Sequence, residues 1–133
     1  FATQAIGSAN RSTTSGVFVI CPFLLTPTPA EGGVVTEMNL SAYTADGQPH
    51  SMTCTAVIGS LNRPIQPTYS PKTITVAGSS AENPTVFTWT PDDFNGASPT
   101  GGIVGSAWGT ITCLLPPQTA IALMYAKLNG SIQ

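Results

Sequence analysis

The chain is a series of short runs of β-branched and aromatic residues, each interrupted by proline or glycine. Its 133 residues include 12 prolines and 13 glycines. Many short strands separated by such turns are typical of a sandwich or a barrel. A chain of this length forms one domain. The sequence therefore predicts an all-β fold, a seven- or eight-stranded β-sandwich of jelly-roll or Ig-like type.

The runs themselves predict the strands and their faces. Residues 16–25 are apolar on both faces, so we expect this strand to be central or covered on both sides. Residues 34–44 and 50–59 alternate between apolar and polar, which predicts two half-buried strands joined as a hairpin at Asp46-Gly47. Further strands are predicted at 73–77, 85–90 and 103–115.

Two segments have a less regular pattern. Residues 62–71 contain three prolines, which predicts an irregular crossover between sheets. Residues 119–128 are flanked by groups able to cap a helix. Ile121, Leu123 and Tyr125 nevertheless alternate, so a strand is favoured over a helix there.

Charged side chains are scarce. They make up 8% of the residues, against about 25% in an average protein. The 41% apolar share and the mean hydropathy of +0.18 argue against disorder. Four cations are too few for a nucleic-acid surface, and no apolar stretch approaches the roughly 18 residues of a membrane span. Such a surface suits an extracellular protein, a glycosylated one, or one packed against copies of itself.

The three cysteines are Cys21, Cys54 and Cys113. With no C-x-x-C pair and one histidine, neither a metal nor another cofactor is expected. Because the chain begins with Phe1, we expect export after removal of a signal peptide, and hence one disulfide. Cys54–Cys113 is preferred because both lie mid-strand on inward faces, and Cys21–Cys113 stays open as the alternative. The third cysteine is either buried or paired with another chain.

Residues able to carry catalysis are few and scattered. Asp92-Asp93 is the only acidic pair, and a turn or helix cap is favoured there over a cation site. His50 is the only histidine, and there is no G-x-S-x-G motif. We therefore predict that the protein is not an enzyme.

Three short motifs carry a family resemblance: V-F-V-I-C-P at 17–22, T-C-T at 53–55 and T-C-L-L-P-P at 112–117. In these the chain resembles a broad group of small secreted bacterial β-domain proteins with three cysteines and no assigned function. The resemblance implies export and a single β domain, and it carries no catalytic residues.

The N-terminal segment, residues 1–15, is predicted to be separate from the sandwich domain at 16–133. Its first six residues alternate as in a strand, and residues 7–15 are predicted to form a flexible polar linker. A tethered strand of this kind can add to an open sheet edge of another copy. The residues of the predicted assembly strand are Phe1, Thr3, Ala5 and Ile6.

Several surface residues suggest contact with sugars. Tyr43 and Trp108 are predicted to face solvent, where aromatic rings can stack on sugar faces. N-x-S/T sequons occur at Asn10, Asn39 and Asn129, and Asn39 is predicted to lie on the solvent face of its strand.

The function predicted from these features is that of a non-enzymatic, extracellular or cell-surface structural protein. It would assemble with copies of itself by strand addition into a surface layer or a pilus-like filament. The alternative is a secreted carbohydrate-binding or adhesive module. Copies of the same chain and glycans are the predicted partners; nucleic acid is not.

Overall fold

The computed structural model describes residues 9–23, 35–60, 68–94, 106–128 and 131–132. Within these ranges the chain consists of strands and one short 3-10 helix at Pro91–Phe94, so the predicted all-β class is confirmed. The strands are β1 (Val17–Phe23), β2 (Val35–Thr44), β3 (His50–Ser60), β4 (Thr68–Val76), β5 (Thr85–Trp89), β6 (Ser106–Leu115), β7 (Thr119–Leu128) and the two-residue β8 (Ser131–Ile132).

The strands form two four-stranded antiparallel sheets. Sheet A has the order β5-β2-β7-β8, and sheet B has the order β1-β6-β3-β4. The chain passes from one sheet to the other five times: between β1 and β2, between β2 and β3, between β4 and β5, between β5 and β6, and between β6 and β7. Because apolar side chains on the inner face of each sheet must be buried against something, the two inner faces share one core.

The core consists of the inward side chains of both sheets. Met38 and Leu40 of β2 and Met52 of β3 have no exposed surface, as their alternation predicted. Phe87 and Trp89 of β5 stack with ring centroids 5.9 Å apart. Trp89 Nε1 donates a hydrogen bond to the carbonyl of Ser70, 3.0 Å away in β4, so a buried indole joins the edge strands of the two sheets.

The disulfide lies in the middle of sheet B. It joins Cys54 of β3 to Cys113 of β6, which face each other across neighbouring strands with a Cα–Cα distance of 4.1 Å. Both residues are fully buried, so the preferred pairing is confirmed. Cys21 is a free thiol on the inward side of β1, and its partial burial raises its pKa.

Two predictions about chain topology are wrong. The strands β2 and β3 do not form a hairpin, because they pair in different sheets and the Asp46-Gly47 turn joins the two layers. Alternation specifies which side of a strand is buried. That side is the same whether β2 and β3 pair with each other or lie in different sheets. The predicted crossover at 62–71 is also too long, since β4 begins at Thr68 and includes Pro71 at the edge of sheet B, where proline is tolerated.

Two further strand predictions have opposite outcomes. Residues 119–128 form β7, so strand rather than helix is confirmed. The strand β1 is not central: it is the end strand of sheet B in the described part of the chain. Its outward side chains Phe18 and Ile20 are 72% and 68% exposed, so none of the described residues supplies the expected cover on the outer face.

The described part of the predicted N-terminal linker is held against the domain. Asn10 is 5% exposed, and its Nδ2 donates to the carbonyls of Ser15 and Leu115 at 2.7 and 3.0 Å. Gln118 has a φ of 61°, and its Nε2 donates to the carbonyls of Arg11 and Ser12. Residues 9–15 are therefore not a free linker, while the predicted assembly strand at residues 1–6 lies outside the described residues.

Replacing both bridged cysteines, as Cys54→Ala with Cys113→Ala, is expected to lower the free energy of unfolding by about 4 kcal/mol. The bridge closes a loop with a sequence separation of 59, and a cross-link of that span restricts the unfolded chain by about this amount. Urea unfolding followed by tryptophan fluorescence measures the change. Cys21→Ala is the control, and an equal loss in that variant would contradict the assignment of the effect to the bridge.

Candidate interaction surface

The outer face of sheet B is an array of uncharged side chains. Strand pairing aligns its residues in three rows that cross all four strands, and no member of these rows is charged. Read from β1 to β4, the rows are Phe18, Leu114, Thr53 and Thr73; Ile20, Thr112, Thr55 and Pro71; and Pro22, Thr110, Val57 and Tyr69.

The apolar members of this face are concentrated toward β1. Phe18 and Ile20 are more than two-thirds exposed, and Leu114 beside them on β6 is 42% exposed. Threonines occupy most of the centre, where Thr53 Oγ1 and Thr73 Oγ1 lie 2.8 Å apart. Tyr69, on β4, is 63% exposed. A contiguous exposed apolar patch rimmed by polar groups marks an interaction surface more often than a solvated one.

The outer face of sheet A has a different character. Lys127 of β7 and Glu37 of β2 form an ion pair at 3.2 Å. Asn39 Nδ2 donates to Glu37, and Thr88 Oγ1 donates to Asn39 Oδ1 at 2.8 Å. These bonds, Asn39 first and Lys127 next, hold the pKa of Glu37 below its ordinary value. This face satisfies its polar groups within the chain.

The four described edge strands also differ in how well they are protected against pairing with another chain. An exposed edge strand is usually shortened, charged or interrupted by proline, since its free N–H and C=O groups can otherwise pair with another chain. In sheet A the described edges are five-residue β5 and two-residue β8. In sheet B, β4 has Pro71 and Lys72 at its middle. The strand β1 spans seven residues without a charge, and Pro22 stands near its end.

The acidic pair predicted as a turn or cap contributes a cap. Asp93 Oδ2 accepts a hydrogen bond from the backbone N–H of Thr90 at 2.7 Å, and the Asp93 N–H donates back to the Thr90 carbonyl. The Asp93 carboxylate thus takes the part of the third helical residue in a capping box, with Pro91 at the first helical position. Burial by itself raises the pKa of Asp93, but the Thr90 N–H and Lys72 outweigh it and the net shift is downward.

Lys72 of β4, in sheet B, binds this cap, which follows β5 of sheet A. Its Nζ donates to the carbonyl of Thr88 at 2.6 Å and to Asp93 Oδ2 at 3.1 Å, and it lies 5.8 Å from the centre of the Trp89 ring. A lysine from β4 therefore occupies the place where a cation would bind Asp93. No group of three or more His, Cys, Asp or Glu side chains able to hold a metal ion occurs among the described residues.

His50 is bound to the turn that precedes it. Its Nε2 lies 2.9 Å from Asp46 Oδ2, and Asp46 Oδ1 also accepts the N–H of Gln48 at 3.0 Å. The Gln48 N–H and then His50 lower the pKa of Asp46. These contacts fix the connection between β2 and β3.

The predicted sugar-contact residues do not come together. Tyr43 belongs to β2 in sheet A, where it is half-buried opposite Ala120, whereas Trp108 belongs to β6 in sheet B. The Trp108 side chain lies outside the described part of the structure. Phe18 and Tyr69 are exposed aromatic residues, and only the pairing in sheet B shows that they share one face.

The sequons have different positions from those expected. Asn39 was predicted to face solvent but is 2% exposed, because it lies on a central strand between Thr88 and Tyr125. Asn10 is 5% exposed and uses its amide to bind the backbone. Neither amide is accessible for glycan attachment, and Asn129 lies outside the described residues.

The comparisons with known proteins add no relative. No family model, curated protein or solved structure matches the chain. The resemblance to secreted three-cysteine proteins therefore stays a prediction. Among the described residues, no helix is long and apolar enough to cross a membrane.

The Asp93→Asn variant is expected to be less stable than the unchanged protein by about 1 kcal/mol at pH 7, because the cap loses a charged acceptor. The folded-state pKa of Asp93 is lowered, so its contribution is present above the ordinary value of 3.8 and is lost as the pH falls through the folded value. The two proteins should therefore converge in stability below that pH. Urea midpoints measured at pH 7 and under strongly acidic conditions test this, and a pH-independent difference would contradict it.

Proposed function

We propose that this protein is a non-enzymatic, extracellular structural protein that assembles with copies of itself by strand addition, as a subunit of a surface layer or pilus-like filament. The observation that carries the proposal is the position of β1. Its sequence is apolar on both faces, as in a strand covered on both sides, yet among the described strands it is the end strand of sheet B and its outward side chains are exposed. Another copy would supply the missing cover.

The physical cost of leaving this region in water supports the same conclusion. Fully burying a side chain such as Phe or Ile is favourable by roughly 1.5–3 kcal/mol. Phe18, Ile20 and Leu114 are adjacent, so a single contact with another copy would bury all three side chains. With a net charge of −2, little charge repulsion opposes the approach of two copies.

The disulfide supports the proposed location. Bridges of this kind persist in oxidising compartments and are rare in the cytosol. Cys54–Cys113 lies in the core at the centre of a sheet, where it is part of the folded structure.

The predicted donor, residues 1–6, stays part of the proposal. Residues 9–15 are bound at the end of the sandwich, so they do not serve as the flexible linker that the sequence predicts. A six-residue strand is long enough for pairing at a sheet edge.

The sandwich type is proposed to be Ig-like. Ig-type sheets pair their second strand with the fifth and their third with the sixth, and β2–β5 and β3–β6 are paired here. The outer strands depart from that pattern, because β1 pairs with β6 and β7 pairs with β2.

We expect the unchanged protein to form dimers or larger species at high concentration, and Ile20→Lys to abolish them by placing a charge on the open face. Leu123→Lys is the matched control, since Leu123 is 43% exposed on the outer face of sheet A. Sedimentation velocity and electron microscopy give the readout. A protein that stays monomeric at every concentration would remove self-assembly as the function.

A secreted carbohydrate-binding or adhesive module is the second candidate, and the exposure of Tyr69 favours it. Its ring lies at the margin of an uncharged, hydroxyl-rich face, as a platform for an extended glycan requires.

We expect Tyr69→Ala to weaken binding on a glycan array by up to about tenfold if this second function holds, because a stacking contact on one aromatic ring is worth about 0.5–1.5 kcal/mol. Tyr125→Ala on sheet A is the control. The absence of any bound glycan on the array would eliminate this candidate.

A further inference from the structure

The disulfide fixes which backbone groups of β1 face the open edge. Opposed residues in an antiparallel pair have Cα atoms about 4.5 Å apart when they share no hydrogen bonds and about 5.5 Å when they do. The 4.1 Å between Cys54 and Cys113 therefore marks a non-hydrogen-bonded pair. The N–H and C=O of Cys113 point away from β3, toward β1, where Cys113 faces Val19.

Successive residues of a strand point their backbone N–H and C=O groups to opposite sides, so the direction at Val19 determines the direction at the other residues of β1. If Val19 directs its N–H and C=O to β6, its neighbours Phe18 and Ile20 direct theirs to the free edge. Pro22 agrees independently: it faces Thr110 and has no N–H, so it cannot complete a hydrogen-bonded pair with β6. Both observations place the free N–H and C=O groups at Phe18 and Ile20.

We propose that β1 pairs with β1 of a second copy, antiparallel, about a two-fold axis at Val19. This inference rests on the proposed self-association and names its interface. In this register Phe18 of each copy faces Ile20 of the other, and the two pairs exchange four N–H···O bonds. Gly16 of each copy faces Pro22 of the other. Pro22 has no N–H, and in this register its carbonyl accepts a hydrogen bond from the Gly16 N–H. Two four-stranded sheets would become one eight-stranded sheet.

The second copy fits this edge better than another partner for two reasons. Residues 16–23 contain no charge, so nothing in the strand repels its own copy and nothing attracts a charged ligand. The register is also self-complementary, because the residues with free backbone groups face each other and their apolar side chains meet on one face.

The contact is small. One strand pair lies at the low end of specific interfaces, below about 1,200 Å² in total, so we expect a reversible dimer with a dissociation constant on the order of micromolar. An isologous contact of this kind closes on itself. A filament of such dimers needs a second contact, which the predicted strand at residues 1–6 would supply.

The test is disulfide trapping. Val19→Cys in a Cys21→Ser background puts two thiols at a non-hydrogen-bonded pair across the axis, the same arrangement that the native bridge uses. With oxidised glutathione as oxidant, a covalent dimer is expected on a non-reducing gel. Phe18→Cys in the same background is the control: it is more exposed, but its Cα atoms would be about 8 Å apart in the dimer, beyond bridging distance.

A second variant tests the hydrogen bonds without cysteine chemistry. Ile20→Pro removes an N–H that points to the free edge and leaves pairing with β6 intact. Two hydrogen bonds per dimer are lost, so self-affinity should fall by about tenfold or more.

The outcomes separate this inference from the proposed function. Self-association without a Val19→Cys dimer, or faster trapping through Phe18→Cys, would overturn the β1 pairing and leave the proposed function standing. The same holds if deletion of residues 1–8 abolishes self-association, since β1 would then bind that segment rather than β1 of the other copy. A protein that never self-associates would overturn both.

Discussion

The pairing of β3 with β6, joined by Cys54–Cys113, is the contact on which the rest of the structure depends. These two strands are the centre of sheet B, and a shift of one residue would turn every side chain to the opposite face. The fixed register puts Met52, Ile111 and the bridge in the core. It also puts the threonines on the outside and, through Cys113, determines which groups of β1 remain free.

Polar side chains that were candidates for catalysis or cation binding make hydrogen bonds and ion pairs within the fold. Asp93 caps a short helix, Lys72 binds that cap from the other sheet, and Asp46 with His50 fixes the turn between the layers. Trp89 adds a buried hydrogen bond to Ser70 between β5 and β4. With these groups engaged, the most exposed large apolar side chains of the described residues, Phe18 and Ile20, lie on the outer face of sheet B beside the β1 edge.

The sequence predicted which side chains are buried better than it predicted which strands lie next to each other. The alternation in β2 and β3 identified the correct inward residues, yet the hairpin was wrong because a period of two does not say which sheet a strand joins. The same pattern assigns Asn39 to solvent, but on this central strand it lies between Thr88 and Tyr125 and is 2% exposed. Asn10 and Gln118 gave no local signal, because their partners lie more than a hundred residues away in sequence.

The sequence alone determined the all-β class, most strand positions, the inward faces and the preferred disulfide. Those properties follow from local alternation, turn residues and the small number of cysteines. Only the tertiary structure decided that β1 lies at an edge with Phe18 and Ile20 in solvent. The reason is physical: an apolar strand needs cover on both faces, but its sequence does not say whether the same chain or another copy provides it.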